Sequence, residues 1–168
     1  TGARVHHCVT TESCRAAMWY DRDLHLSDCD LGGIKALREC SNVTIENSKI
    51  YSLEFGWKSS GITLKDSSVT AEYLFLDSRD VSLDHVQMKG KYSFQYIEDS
   101  MFENCNFDTK DAFWHGKNIT VRNSVVKGEY LAWYSENVTF ENCTIIGTQP
   151  LCYCKNLRLI NCEMVDCD

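Results

Sequence analysis

Apolar residues recur at the second, fourth and ninth places of a window that repeats every 19 residues. Windows open at residues 23, 42, 61, 80, 99, 118, 137 and 156, always with the same step. In the window from Asn118 the apolar places hold Ile119, Val121 and Val126; from Asn137 they hold Val138, Phe140 and Ile145. The first two are separated by one outward residue, a period-two alternation that predicts a strand with a single buried face. That outward place is a column of Thr44, Thr63, Ser82, Thr120 and Thr139, residue types that suit an exposed strand face. The sixth place is almost always Asn or Asp (Asp28, Asn47, Asp66, Asn104, Asn123, Asn142, Asn161, with His85 the exception). Asn and Asp tolerate left-handed backbone angles, so this place predicts a corner. Residues 16–22, AAMWYDR, align with 130–136, YLAWYSE, and carry the repeat towards the start of the chain.

A fixed period of this length is the mark of stacked coils. After the ninth place the chain is predicted to turn near the eleventh, where Gly33, Gly90, Gly128 and Gly147 stand. An aromatic-rich strand then follows: YLFLD at 73–77, YSFQY at 92–96, AFWH at 112–115 and YLAWY at 130–134. No segment keeps a helical period over the length a helix needs. Nineteen is a multiple of neither five nor six, which excludes pentapeptide and left-handed hexapeptide coils. Leucine-rich repeats place their Asn three residues after the preceding apolar residue. Here Val121 to Asn123 and Phe140 to Asn142 are each two places. The expected fold class is therefore all-β: a right-handed, single-stranded parallel β-helix of 19-residue coils, three short strands in each. One domain spans residues 1–168; its first coil begins partway and its last stops at Asp168, as expected of a fragment of a longer β-helix.

Composition narrows the partners. Hydrophobic residues make up 43% and charged residues 24% of the chain, values of a packed domain rather than a disordered one. A net charge of −7 argues against nucleic acid and anionic membrane surfaces as partners. No apolar run approaches the roughly 20 residues that span a bilayer. Of ten cysteines, Cys29, Cys105, Cys143 and Cys162 share the seventh place with Ser48, Ser67 and Ser124. That place asks for a small side chain, so these cysteines are expected to be free, buried and housed in a reducing cytoplasm.

The stretches SCRAAMWYDRDL, GGIKALRECSNVTI, SLEFGWKSSGITL, KGKYSFQYIE, DTKDAFWHGKNITV, KGEYLAWYSENVTF and GTQPLCYCKNLRLINCEMVDCD resemble an uncharacterised, mainly bacterial family of right-handed β-helix proteins. The likeness runs from about residue 13 to the end. It implies a fold like that of the pectin-lyase superfamily and, if there is an activity, one of the polysaccharide lyase or glycoside hydrolase class. It carries over no catalytic residue, because a fold does not transmit chemistry.

Candidate chemistry gathers on the aromatic strand. Its fifteenth place has no polar member (Leu37, Phe75, Phe94, Phe113, Ala132) and is expected to face inward. Strict alternation then puts the sixteenth place outward: Trp19, Trp57, Trp114 and Trp133. The seventeenth place carries Lys58, Asp77, Tyr96, His115, Tyr134 and Tyr153, which coil stacking would bring into a ladder. Trp57, Lys58, Tyr96, Trp114, Trp133, Tyr134 and Tyr153 are the expected ligand-binding residues, suited to a carbohydrate-like ligand. Asp77, His115 and Asp111 are the expected acid–base groups if the protein is an enzyme. The alternative is a rigid platform for protein partners, or for self-association through the aromatic face or the open ends. His6 and His25, aligned at the third place of adjacent coils, match no zinc spacing, and neither metal nor cofactor is expected.

Overall fold

The computed structural model describes all 168 residues, Thr1–Asp168, and contains no helix. Its sixteen strands pair in parallel and stack into nine coils. The register follows the repeat: Val43 lies over Ile62, Ile62 over Val81 and Ile119 over Val138. The parallel β-helix expected from the period is the fold.

Stacking identical places on one another builds the core. Leu24, Val43, Ile62, Val81, Ile119 and Val138, all of the second place, are buried in one column. At the fifteenth place Phe75, Phe94 and Phe113 form an internal pile, with ring centroids 6.3 and 5.1 Å apart. Phe102 packs edge-on against Phe94 and Phe113. Each fully buried ring contributes about 3 kcal/mol by removing apolar surface from water.

The small column at the seventh place has its own logic. The Ser48 hydroxyl accepts from the Cys29 N–H at 3.1 Å and donates to the Glu46 carbonyl at 2.7 Å. Ser67 and Ser124 repeat the arrangement. Cysteine fits the same volume, its thiol directed at a carbonyl two residues back, as in Cys105 and Cys143. All ten cysteines are free, and burial pushes the Cys105 thiol up to about 11, which keeps it inert. At the corners, Asn and Asp adopt positive φ, and their side chains bridge coils: Asn118 donates to Asp99, Asn137 to Asn118 and Asn156 to Asn137.

Three departures from the expected coil matter. First, only two of the three sides are regular strands. The aromatic side alternates left-handed residues at its fifteenth and seventeenth places, such as Phe94 (φ 60°) and Tyr96 (φ 56°). It is an arc, yet its coil-to-coil bonds persist: Tyr96 N–H to Trp114 O at 2.8 Å, His115 N–H to Trp133 O at 2.9 Å. Second, the turn after the ninth place sharpens only late in the chain. The second-side strand spans Lys49–Phe55 early, but shrinks to Asn106–Asp108, Val125–Lys127 and Thr144–Ile146. In these coils Asp111, Tyr130 and Gln149 adopt φ of 53°, 55° and 46°. Third, the first coil is longer: Arg4 pairs with His25 and Val9 with Asp30, whereas Trp19 bridges Arg38. Two extra residues between Thr10 and Trp19 account for the shift. His6 therefore pairs with Ser27 rather than His25, correcting the shared column expected for the two histidines.

The sharp turn needs glycine. Gly128 has φ 156°, and a Cβ there would fall on the Thr109 carbonyl oxygen of the coil above. Gly128→Ala should cost about 3 kcal/mol in urea unfolding, since neighbouring backbones must separate. Gly61 (φ 64°) sits instead in the Asn column, where a Cβ meets nothing closer than 3.4 Å and Asn42 and Asp80 flank it. Gly61→Asn should raise stability by about 0.5–1 kcal/mol in the same assay, because Asn accepts this φ and completes the amide ladder.

Candidate functional site

The arc decides which aromatic side chains are available. Left-handed turns at the fifteenth and seventeenth places break the strand alternation, so the sixteenth and seventeenth side chains both project outward. Trp19 and Trp114 are 38% and 37% exposed; Trp57 and Trp133 are half-buried against the surface. None enters the core. The Trp133 indole donates to the Gln149 carbonyl at 2.6 Å and the Trp19 indole to that of Lys35 at 2.9 Å.

The seventeenth column is the ladder expected from the repeat. Tyr96, His115, Tyr134 and Tyr153 stack with centroid spacings of 5.3, 5.2 and 4.7 Å and interplanar angles of 1°, 11° and 6°. The coil spacing imposes this stacking, and it has a consequence. Rings piled face to face present only their edges to solvent, apart from the outer faces of the two end rings, Tyr96 and Tyr153, which are 53% and 66% exposed. Asp77 and Lys58 continue the column above Tyr96, both exposed. The Tyr96 ring lies between the levels of Asp77 and His115, so those two are not brought together on one substrate atom.

A recess of about 400 Å³ opens one side of this ladder, lined by Asp111, Trp114, Tyr130, Trp133 and Gln149. Its size is in the range of small-molecule sites. The late bend makes it: Asp111, Tyr130 and Gln149 are the three left-handed residues of the thirteenth place, facing the Trp column across the arc. Asp111 is only 7% exposed, and its carboxylate makes no hydrogen bond or ion pair within the chain. Burial pushes its carboxyl above the usual range; Lys110 opposes that shift and Glu129 adds to it. Lys110 is held by Glu129 at 2.8 Å and lies 5.8 Å over the Tyr130 ring. Of the expected acid–base residues, Asp111 alone is in the recess, together with Trp114 and Trp133 of the expected binding residues. Tyr130 and Gln149 were not singled out in the sequence; their signal is that they share the place of Asp111 in consecutive coils.

Trp57 belongs to a second cluster on the same face, four coils from Trp133. Arg38 lies between two indoles, its guanidinium 5.3 Å from both the Trp19 and Trp57 rings. Glu54 faces it, 4.0 Å from Nη1, with Lys35 at 3.8 Å on the same carboxylate oxygen. The Trp57 indole nitrogen is buried without an acceptor. At the first coil, exposed His6, His7 and Asp28 lie close together, but His6 is occupied by Ser27 at 2.8 Å and Asp28 at 3.3 Å.

Compared with known proteins, residues 1–168 match the model of a family described as protein of unknown function (DUF3737). No curated protein matches the chain.

Two stability measurements probe this geometry. Asp111→Asn should unfold at higher denaturant than the parent at neutral pH, because it removes a charge the folded state disfavours. A carboxyl whose folded pKa is raised penalises folding above that pKa, and the penalty vanishes once the group is protonated in both states. The advantage of Asp111→Asn should therefore disappear as the pH falls through the carboxylate range. In the ladder, His115→Ala should lose about 1–2 kcal/mol through two broken stacks, while His115→Phe keeps most of it, as read from denaturant midpoints.

Proposed function

As the chain belongs along its whole length to this family of unknown function, we propose a role argued from the site alone: binding of a carbohydrate-like ligand in the Trp114–Trp133 recess. The observation that carries it is two outward indoles and a phenol beside an unpaired carboxylate and an amide. Indole faces take the apolar C–H faces of a pyranose, and Asp111 and Gln149 supply acceptor and donor for its hydroxyls. The ladder of Tyr96, His115, Tyr134 and Tyr153 lies outside the recess, and its inner ring faces are spent on one another rather than on a ligand.

The arrangement favours binding over turnover. Glycosidic cleavage in most families needs two carboxylates flanking one bond. Asp111 has no free counterpart, since Glu129 is engaged by Lys110 and Asp77 stands on exposed arc outside the recess. Trp114→Ala is the direct test, because the Trp114 indole makes no hydrogen bond that the fold depends on. In a glycan array followed by titration, Trp114→Ala and Trp133→Phe should each weaken the best saccharide about tenfold. Trp19→Ala, on the far coils, should leave it unchanged. An array on which the parent retains no saccharide overturns the proposal, and release of new reducing ends would make the protein an enzyme instead.

A further inference from the structure

The chain contains a near copy of the recess that is already filled. Glu54 and Trp57 stand at the same thirteenth and sixteenth places as Asp111 and Trp114, with the same three-residue spacing. Above Trp57 the sixteenth place is Arg38, whose guanidinium lies 5.3 Å from two indoles and 4.0 Å from the Glu54 carboxylate. There a cation, two aromatic faces and a carboxylate stand together, in charge contact but with Glu54 Oε2 and Arg38 Nε making no hydrogen bond. In the recess the carboxylate and the indoles recur, but the place above Trp114 is Gln95 and the place below is Trp133. No cation stands against the two indoles there; the nearest, Lys110, is held by Glu129 and lies over the Tyr130 ring.

We infer that the recess selects a positively charged sugar, an amino sugar with a free ammonium, which faces the Asp111 carboxylate from within the recess as Arg38 faces Glu54 in the upper cluster. The inference rests on the carbohydrate reading of the same site and narrows it. Four observations support it. The Asp111 carboxylate is 7% exposed, unpaired, and lines the recess. The one cation nearby, Lys110, is held at 2.8 Å by Glu129, so the pair cancels and the recess keeps the charge of Asp111. Trp114 and Trp133 turn aromatic surface to the recess, and the negative faces of such rings attract a cation; the Tyr130 ring already has Lys110 over it. The only hydrogen-bond donors lining it beyond backbone are the Gln149 amide, the Tyr130 hydroxyl and the Trp indoles, of which Trp133's is already used by the Gln149 carbonyl. A neutral sugar would cover the carboxylate and leave its charge uncompensated. An ammonium instead returns a charge-assisted hydrogen bond for the desolvation.

The test uses the full chain and three probes: a glucosamine trimer, its N-acetylated counterpart, and ethylammonium chloride, followed by calorimetry and tryptophan fluorescence. The glucosamine trimer should bind at least about tenfold tighter than the acetylated one at neutral pH. Asp111→Asn should erase that preference by weakening the glucosamine trimer far more than the acetylated one, which loses only a hydroxyl acceptor. Below neutral pH the preference should fade as Asp111 protonates, at higher pH than an exposed carboxylate would, because burial raises its pKa and Lys110, Glu129 and Tyr130 are the titratable neighbours facing it. Equal binding of the two trimers, or a preference that survives Asp111→Asn, overturns the inference and leaves the carbohydrate proposal standing. Binding of ethylammonium alone, with neither trimer, overturns the sugar reading and reduces the recess to a plain cation site.

Discussion

Everything in this molecule depends on each residue having its counterpart directly above and below it. The parallel ladder between coils fixes that arrangement: Ile62 lies between Val43 and Val81, and Val121 between Phe102 and Phe140. A place that faces inward in one coil faces inward in all. Its neighbours are always of its own kind, so the chemistry of a column must be compatible with itself. Apolar columns pile into a core, Asn columns chain their amides, and Ser columns pass hydrogen bonds from coil to coil. Cysteine substitutes for serine because the seventh place demands small volume and tolerates a thiol pointed at a carbonyl. The same self-compatibility makes the aromatic ladder: ring over ring is the one way that Tyr96, His115, Tyr134 and Tyr153 fit at this spacing.

Local function then requires breaking the repeat. The recess exists because three consecutive coils shorten their second strand and turn at the thirteenth place, which the glycines at 128 and 147 make sterically possible. That bend brings Asp111, Tyr130 and Gln149 across from Trp114 and Trp133. Upstream, where the strand runs straight through the thirteenth place, the equivalent cluster is closed by Arg38 between its two indoles. One motif is thus used twice: once filled from within as a structural stack, once left open with an unpaired buried carboxylate. A buried charge without a partner destabilises the fold, and a site that binds a cation recovers part of that penalty on binding.

The period, the strand alternation and the Asn corners were legible in the sequence because they are column properties, repeated eight times over and hence visible as regularities along one dimension. The inward fifteenth place was legible for the same reason. Tertiary structure alone decided three things. The left-handed residues of the arc turn the sixteenth and seventeenth places outward together, and no composition at those places distinguishes an arc from a strand. The first coil carries two extra residues, which moves His6 off the column of His25 although simple counting aligns them. Asp111 stands out in the sequence as an acid–base candidate on the aromatic strand, but only the bend at the thirteenth place makes it buried and unpaired. A repeat encodes what each coil shares with the next; how far a coil may deviate is set by contacts with the backbones above and below, which a linear pattern does not display.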